Sequence, residues 1–195
     1  MVDVLKRTAT YADLEAVPPN MVAEIIFGRL VTHPRPAIRH GLAASSLTHE
    51  LMGPFQKGRG GPGGWIFIIE PELHFGPHVL VPDIAGWHRE CLSHDADERA
   101  YLDIAPDWIC EVMSPSTERY DKGDKRRIYA SHGVSYLWHL DPRIRTLETF
   151  ALQNGGNWLL THSFADRDDI SAPPFTEITF SLGLLWPLDP PSSDI

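Results

Sequence analysis

Between Trp65 and Phe164 the chain is a succession of short apolar, β-prone runs separated by turn residues. The runs are Trp65–Ile69, Val79–Val81, Asp107–Met113, Val134–Leu140, Thr146–Phe150 and Trp158–Phe164, and Gly76-Pro77, Ser114-Pro115 and Asp141-Pro142 interrupt the series. Runs of this length, rich in branched and aromatic residues and bounded by Gly and Pro, predict strands, so the fold must centre on a sheet. Val79–Val81 continues through Pro82-Asp83 into Ile84–Trp87, which predicts a strand beside Trp65–Ile69. Asp107–Met113 then supplies a third central strand.

Helical periodicity is confined to a few segments. Thr10–Val17 reads as a short helix stopped by Pro18-Pro19. Met21–Thr32 reads as a hairpin turning at Gly28, with Glu24 on its first strand. From Ile38 to Gln56 apolar residues recur at helical intervals, predicting an amphipathic helix that ends near Gly53-Pro54. Asp121–His132 reads as a surface helix with Ile128 and Tyr129 inward and Gly133 closing it. The stretch Gly58–Gly64 (GRGGPGG) lacks the Gly-Lys-Ser/Thr ending of a phosphate loop and precedes a strand, so it is read as a connector. The expected class is mixed α/β.

Composition bounds the function. With 195 residues, 17 Lys+Arg and 26 Asp+Glu, the net charge of −9 disfavours a tight general polyanion binder. The length suits one domain, taken as residues 1–188, with 189–195 expected as a disordered tail. Two cysteines, Cys91 and Cys110, exclude a disulfide framework or a cysteine zinc site. No apolar run approaches the roughly 18 residues of a membrane span, and the N-terminus has no apolar signal-peptide centre, so a cytoplasmic protein is expected.

Three acids, Glu70, Asp83 and Glu111, fall on or beside apolar strands. An ionised carboxylate is costly there unless it is paired or binds a cation. Two carboxylates about 4 Å apart repel by roughly 4 kcal/mol at an effective dielectric near 20, and a divalent cation reverses the sign. Magnesium accepts one or two carboxylates with retained waters, and such sites generate a nucleophile for phosphodiester cleavage. Lys125, one helical turn beyond Asp121, is placed to reach the acidic end of the sheet; an exposed Asp121–Lys125 pair is the alternative.

Pro82-Asp83, Glu111–Thr117 (EVMSPST), Asp121 with Lys125 and Tyr129, Gly133-Val134 and Trp138–Pro142 (WHLDP) together resemble the Uma-two family of restriction-endonuclease-like proteins, in the PD-(D/E)xK nuclease superfamily. The similarity spans Tyr11 to Trp186 and includes Glu24–Leu30, His40 and Glu70–Leu73. It implies an αβββαβ core with a mixed central sheet and extra N- and C-terminal strands. It also implies Asp83 and Glu111 as ligands of Mg2+ or Mn2+, a catalytic lysine and DNA as partner. The superfamily lysine expected two residues after the glutamate is Met113 here. Lys125 is its expected counterpart, with Asp121 as helper; Lys122 lies about 100° around the helix from Asp121 and Lys125 about 40°. Glu24, His40 and Glu70 match family positions as auxiliaries without a derived role.

The leading expectation is a metal-dependent endonuclease. The alternatives are a catalytically silent nuclease fold used for assembly, and a hydrolase of a smaller phosphate compound. Arg119, Lys122, Lys125, Arg126, Arg127, Arg143 and Arg145 could form a basic patch or a solvated helix face. Trp158, Phe164, Phe175 and Trp186 are read as core rather than as a dimer interface, and a homodimer rests on the resemblance and the need to cut two strands. The ten histidines contain no His-Glu-x-x-His and are read as scattered surface residues.

Overall fold

A computed structural model describes residues 7–93, 96 and 98–189. Six strands form the main sheet in the order β10-β9-β8-β7-β6-β3: β3 (Trp65–Ile69), β6 (Ile84–His88), β7 (Trp108–Val112), β8 (Tyr136–Asp141), β9 (Thr146–Gln153) and β10 (Asn157–Ala165). Within this sheet, among the described residues, only β7 and β8 pair in parallel, with Glu111 opposite His139. A parallel pair needs a crossover. Here α3 (Glu118–Tyr120), a wide turn (Asp121–Lys125) and α4 (Arg126–Ser131) supply it as continuous helical winding. A smaller sheet, β2-β1-β5-β4, combines the N-terminal hairpin β1 (Met21–Ile26) and β2 (Arg29–Pro34) with β4 (Leu73–Phe75) and β5 (His78–Leu80). The short helix α1 (Tyr11–Glu15) precedes the hairpin, and α2 (Ile38–Leu51) follows it. Two-residue strands β11 (Asp169–Ile170) and β12 (Phe180–Ser181) pair near the C-terminus.

Alternation along the central strands builds a core on each face of the main sheet. Trp108, Cys110 and Val112 pack with Leu47 and Leu51 of α2 and with Phe175. Ile109 and Leu137 pack with Ile128 and Tyr129 of α4 and with Leu80 from the smaller sheet. The period of two therefore sets Glu111 on the α4 face, between two layers.

Three local expectations are corrected. The segment from Val79 to Trp87 is two strands in different sheets, because the chain crosses between sheets at Val81–Asp83. There Pro82 has no N–H, and the Val81 amide is taken by Glu24 Oε1 at 2.9 Å. The sequence reading also passed over β4, which pairs with β5 across Gly76 (φ 60°). The helix predicted to end near Gly53-Pro54 keeps winding to Gln56 as a wide turn, with Lys57 N donating to Met52 O at 3.0 Å around the donor that Pro54 lacks.

Phe175 and Trp186 are buried, and Trp158 and Phe164 are half-buried against the two core clusters, as the core reading expects. The surface reading of the histidines fails for His40, His78 and His139, all buried. Of the expected tail, Asp189 is placed and pairs with Arg145 at 2.9 Å; residues 190–195 lie outside the described residues.

Candidate active site

Glu111 is delivered by the central strand β7, whose five residues are all buried. Its Oε1 accepts the Tyr129 hydroxyl at 2.5 Å and faces Lys125 Nζ at 2.8 Å. The Lys125 ammonium also lies 3.2 Å from Glu24 Oε1 and 3.2 Å from Asp121 Oδ1. Its side chain is 3% exposed and those of the three acids 2%. The wide turn Asp121–Lys125 carries Asp121 and Lys125 inward, so this stretch of the predicted surface helix is buried on its sheet side.

Asp83 sits where the chain passes from one sheet to the other. Its Oδ2 accepts the Val112 amide at 2.7 Å, beyond the end of the β6–β7 ladder, and its Oδ1 faces His40 Nε2 at 3.2 Å. The first turn of α2 thereby buttresses the carboxylate. Glu70, exposed at the end of β3, donates its amide to Asp83 O at 3.0 Å. Its left-handed backbone (φ 48°) turns the chain out of the strand.

Asp83, Glu111, Asp121, Lys125, His40 and Glu70 all line one pocket, closed on other sides by His33 and Pro34 of the hairpin and by Ser114, Ser116 and Thr117. Its free space is about 30 Å³. At roughly 10–15 Å³ per water centre, that admits about two waters or a small cation. Glu24 reaches the cluster from beneath through Lys125. Lys122 is excluded, since it pairs with Glu118 at 2.7 Å and is 44% exposed.

Electrostatics follow from burial and from the excess of acids. Burial opposes the Lys125 ammonium, but Glu111, Glu24 and Asp121 outweigh it and hold the lysine protonated well above its usual range. Burial drives Glu111 well above the usual carboxyl value; Lys125 opposes this, while Asp121, Asp83 and Glu24 add to it. Asp121 is raised by burial against the pull of Lys125 and of the Thr117 hydroxyl. One ammonium thus sits among three buried carboxylates, and burial raises Glu111 and Asp121 together. At His40, burial opposes the imidazolium, but the hydrogen bond and charge of Asp83 lift it above an ordinary histidine.

The donor set suits a hard divalent cation. Asp83 and Glu111 face the same small cavity, and Asp121, ion-paired to Lys125 through Oδ1 at 3.2 Å, lines it beside them. Among the described residues, no three His, Cys, Asp or Glu side chains form a ready chelate.

The sequence reading missed two contributors. Tyr129 was assigned to the apolar face, although it lies one helical turn past Lys125, and that spacing signals a shared face. The hydroxyls of Ser114, Ser116 and Thr117, linked at 2.9 and 3.0 Å, form a pocket wall that spacing alone did not suggest. The basic-patch alternative also resolves. Arg143 pairs with Asp141 and Glu118, each at 2.6 Å, Arg127 with Asp124 at 3.7 Å, and Arg126 stacks over Phe150. Most of those charges are neutralised where they stand.

The mixed sheet with its parallel β7–β8 pair has the restriction-endonuclease-like fold. A solved structure titled as a "putative nuclease belonging to DUF820" from Anabaena variabilis ATCC 29413 aligns with a TM-score of 0.72 at 22% identity, over 92% of this chain and 98% of that one. The chain belongs to the Uma2 family, described as "Putative restriction endonuclease", whose model matches residues 8–185. No curated protein matches the sequence.

Proposed function

We propose that the protein is a metal-dependent endonuclease that hydrolyses DNA phosphodiester bonds, with Asp83, Glu111 and Lys125 as its catalytic residues. The observation that carries this reading is that these three residues, from β7, the inter-sheet crossing and the crossover helix, line one pocket. Asp83 and Glu111 would hold Mg2+ or Mn2+, which supplies positive charge at the scissile phosphate and makes water more acidic.

The protein's own groups do the rest. Lys125, kept charged by its carboxylates, positions the attacking water and stabilises negative charge growing on the phosphoryl oxygens. Glu24 and Asp121 hold the ammonium in place. His40 and the Val112 amide each fix one oxygen of Asp83, and Tyr129 fixes Glu111. Glu70, at the rim, is available for a further contact.

A cytoplasmic location and a homodimer complete the proposal. Both cysteines are free, which suits a reducing compartment. Among the described residues, no helix is long and apolar enough to cross a membrane. A second reading, a nuclease fold kept for assembly, is favoured by the enclosure of Lys125 among three carboxylates. Purified protein incubated with Mg2+ or Mn2+ on duplex, single-stranded and branched DNA separates the two. Cleavage that stops on metal chelation and in Asp83→Ala supports the endonuclease. Absence of cleavage, or undiminished cleavage by Asp83→Ala, removes it.

A further inference from the structure

Beside the catalytic pocket lies a second, roomier cavity of about 300 Å³ that the proposed chemistry leaves unused. Consecutive residues of α2 serve one cavity each: His40 lines the first, where it holds Asp83, and Arg39 lines the second. Its polar wall holds three arginines against two aspartates, in a chain whose net charge is −9. Arg143 and Arg145 are spent on Asp141, Glu118 and Asp189. Among the described residues, Arg39 makes no hydrogen bond or ion pair and is exposed.

Its apolar lining is open to solvent, with Ile144 66% and Leu188 79% exposed. Asp166, exposed on the rim in a left-handed conformation (φ 50°), has a carboxylate that takes no hydrogen bond from the described residues. A free cation, an uncovered aliphatic wall and a free acceptor match, in turn, a phosphate, the face of a planar base and an exocyclic amino group. The volume is at the lower end of small-molecule sites, about that of one nucleotide.

We propose that this cavity receives the nucleotide flanking the scissile phosphate, with its base unpaired. Arg39 holds the flanking phosphate, Ile144 and Leu188 cover the base, and Asp166 accepts from the amino group of cytosine, adenine or guanine. The inference rests on the nucleic-acid substrate of the preceding section and narrows it. A base stacked inside a duplex cannot enter, so the preferred substrate is single-stranded, or has an unpaired nucleotide beside the cut.

Fluorescence anisotropy with a labelled mixed-sequence single strand of about a dozen nucleotides, and with the same strand in its duplex, tests this in EDTA, where cleavage is not required. Single-strand affinity at least about tenfold above duplex affinity is expected. Arg39→Ala should weaken single-strand binding by about tenfold and flatten its salt dependence by about one phosphate's worth. Ile144→Ser should weaken binding to the intact strand but change little when the flanking base is replaced by an abasic site. Equal affinity for the two forms, or an Arg39→Ala variant that binds like wild type, overturns the inference even if the protein cuts DNA. An inactive protein that still binds single strands through Arg39 keeps the inference and loses the endonuclease.

Discussion

Glu24 Oε1 lies 3.2 Å from Lys125 Nζ and takes the Val81 amide at 2.9 Å, so one oxygen ties the N-terminal hairpin, the crossing between sheets and the crossover helix together. Removing it leaves a buried N–H unsatisfied and one fewer partner on a buried ammonium that keeps two others. Glu24→Ala should therefore cost about 1–3 kcal/mol, the penalty of an orphaned buried donor. Urea unfolding followed by circular dichroism reads the loss, and a midpoint equal to wild type would deny Glu24 this tie.

Lys125 and Glu111 should separate stability from activity. Lys125→Met strands three buried carboxylates and should destabilise by about 3–5 kcal/mol as well as abolish cleavage. Glu111→Gln keeps the side chain's size and an acceptor oxygen for the Tyr129 hydroxyl, so it should keep most of the stability while losing metal-dependent cleavage. Thermal melts paired with cleavage assays check both variants. A Glu111→Gln protein that cuts DNA normally would remove this residue from the metal site.

His139 gives the fold a pH dependence of known sign. It is buried on β8 opposite Glu111, neither ring nitrogen has a hydrogen-bond partner among the described residues, and burial lowers its pKa to about 3, with Arg126 and Lys122 adding to the effect. The unfolded chain holds this histidine near the ordinary value of about 6.5 and so binds the proton first. Its contribution is complete above that value and drains away as pH falls from about 6.5 toward 3, by up to roughly 5 kcal/mol. His139→Leu should raise stability at pH 7 by about 1–2 kcal/mol, because it deletes an unsatisfied buried donor. It should also flatten the fall in urea midpoint between pH 7 and pH 5. An unchanged fall would assign that slope to other groups.

The strand runs and the positions of Asp83, Glu111 and Lys125 were legible because each is encoded locally. A continuous apolar run broken only by Glu111 marks β7, and the spacing from Asp121 to Lys125 marks one helix face. What spacing cannot encode is which sheet a strand joins. The split of β5 from β6 depends on side chains distant in sequence, Glu24 and Asp83, capturing the amides of Val81 and Val112. The role of Glu24 was hidden for the same reason, since its lysine partner is brought near only by the folded hairpin. Burial of His40 and His139 was also invisible, because histidine is compatible with surface and core alike.

Packing between β6 and β7 is tight enough to test the sheet that carries the site. A Cβ on Gly86 would stand 3.0 Å from Phe67 Cε1 and 3.2 Å from Trp108 Cε3, both in buried aromatic rings. The two rings meet edge-to-face and both pack against Phe175, so neither has free space to retreat into. Gly86→Ala should therefore cost about 1–3 kcal/mol by overpacking. Because Gly86 pairs with Trp108 on the strand that presents Glu111, the strain should also displace β7 relative to Asp83. Lower thermal stability together with reduced cleavage is the expected result. Wild-type stability in this variant would show that the aromatic layer yields, and that the β6–β7 spacing is not what fixes the two carboxylates.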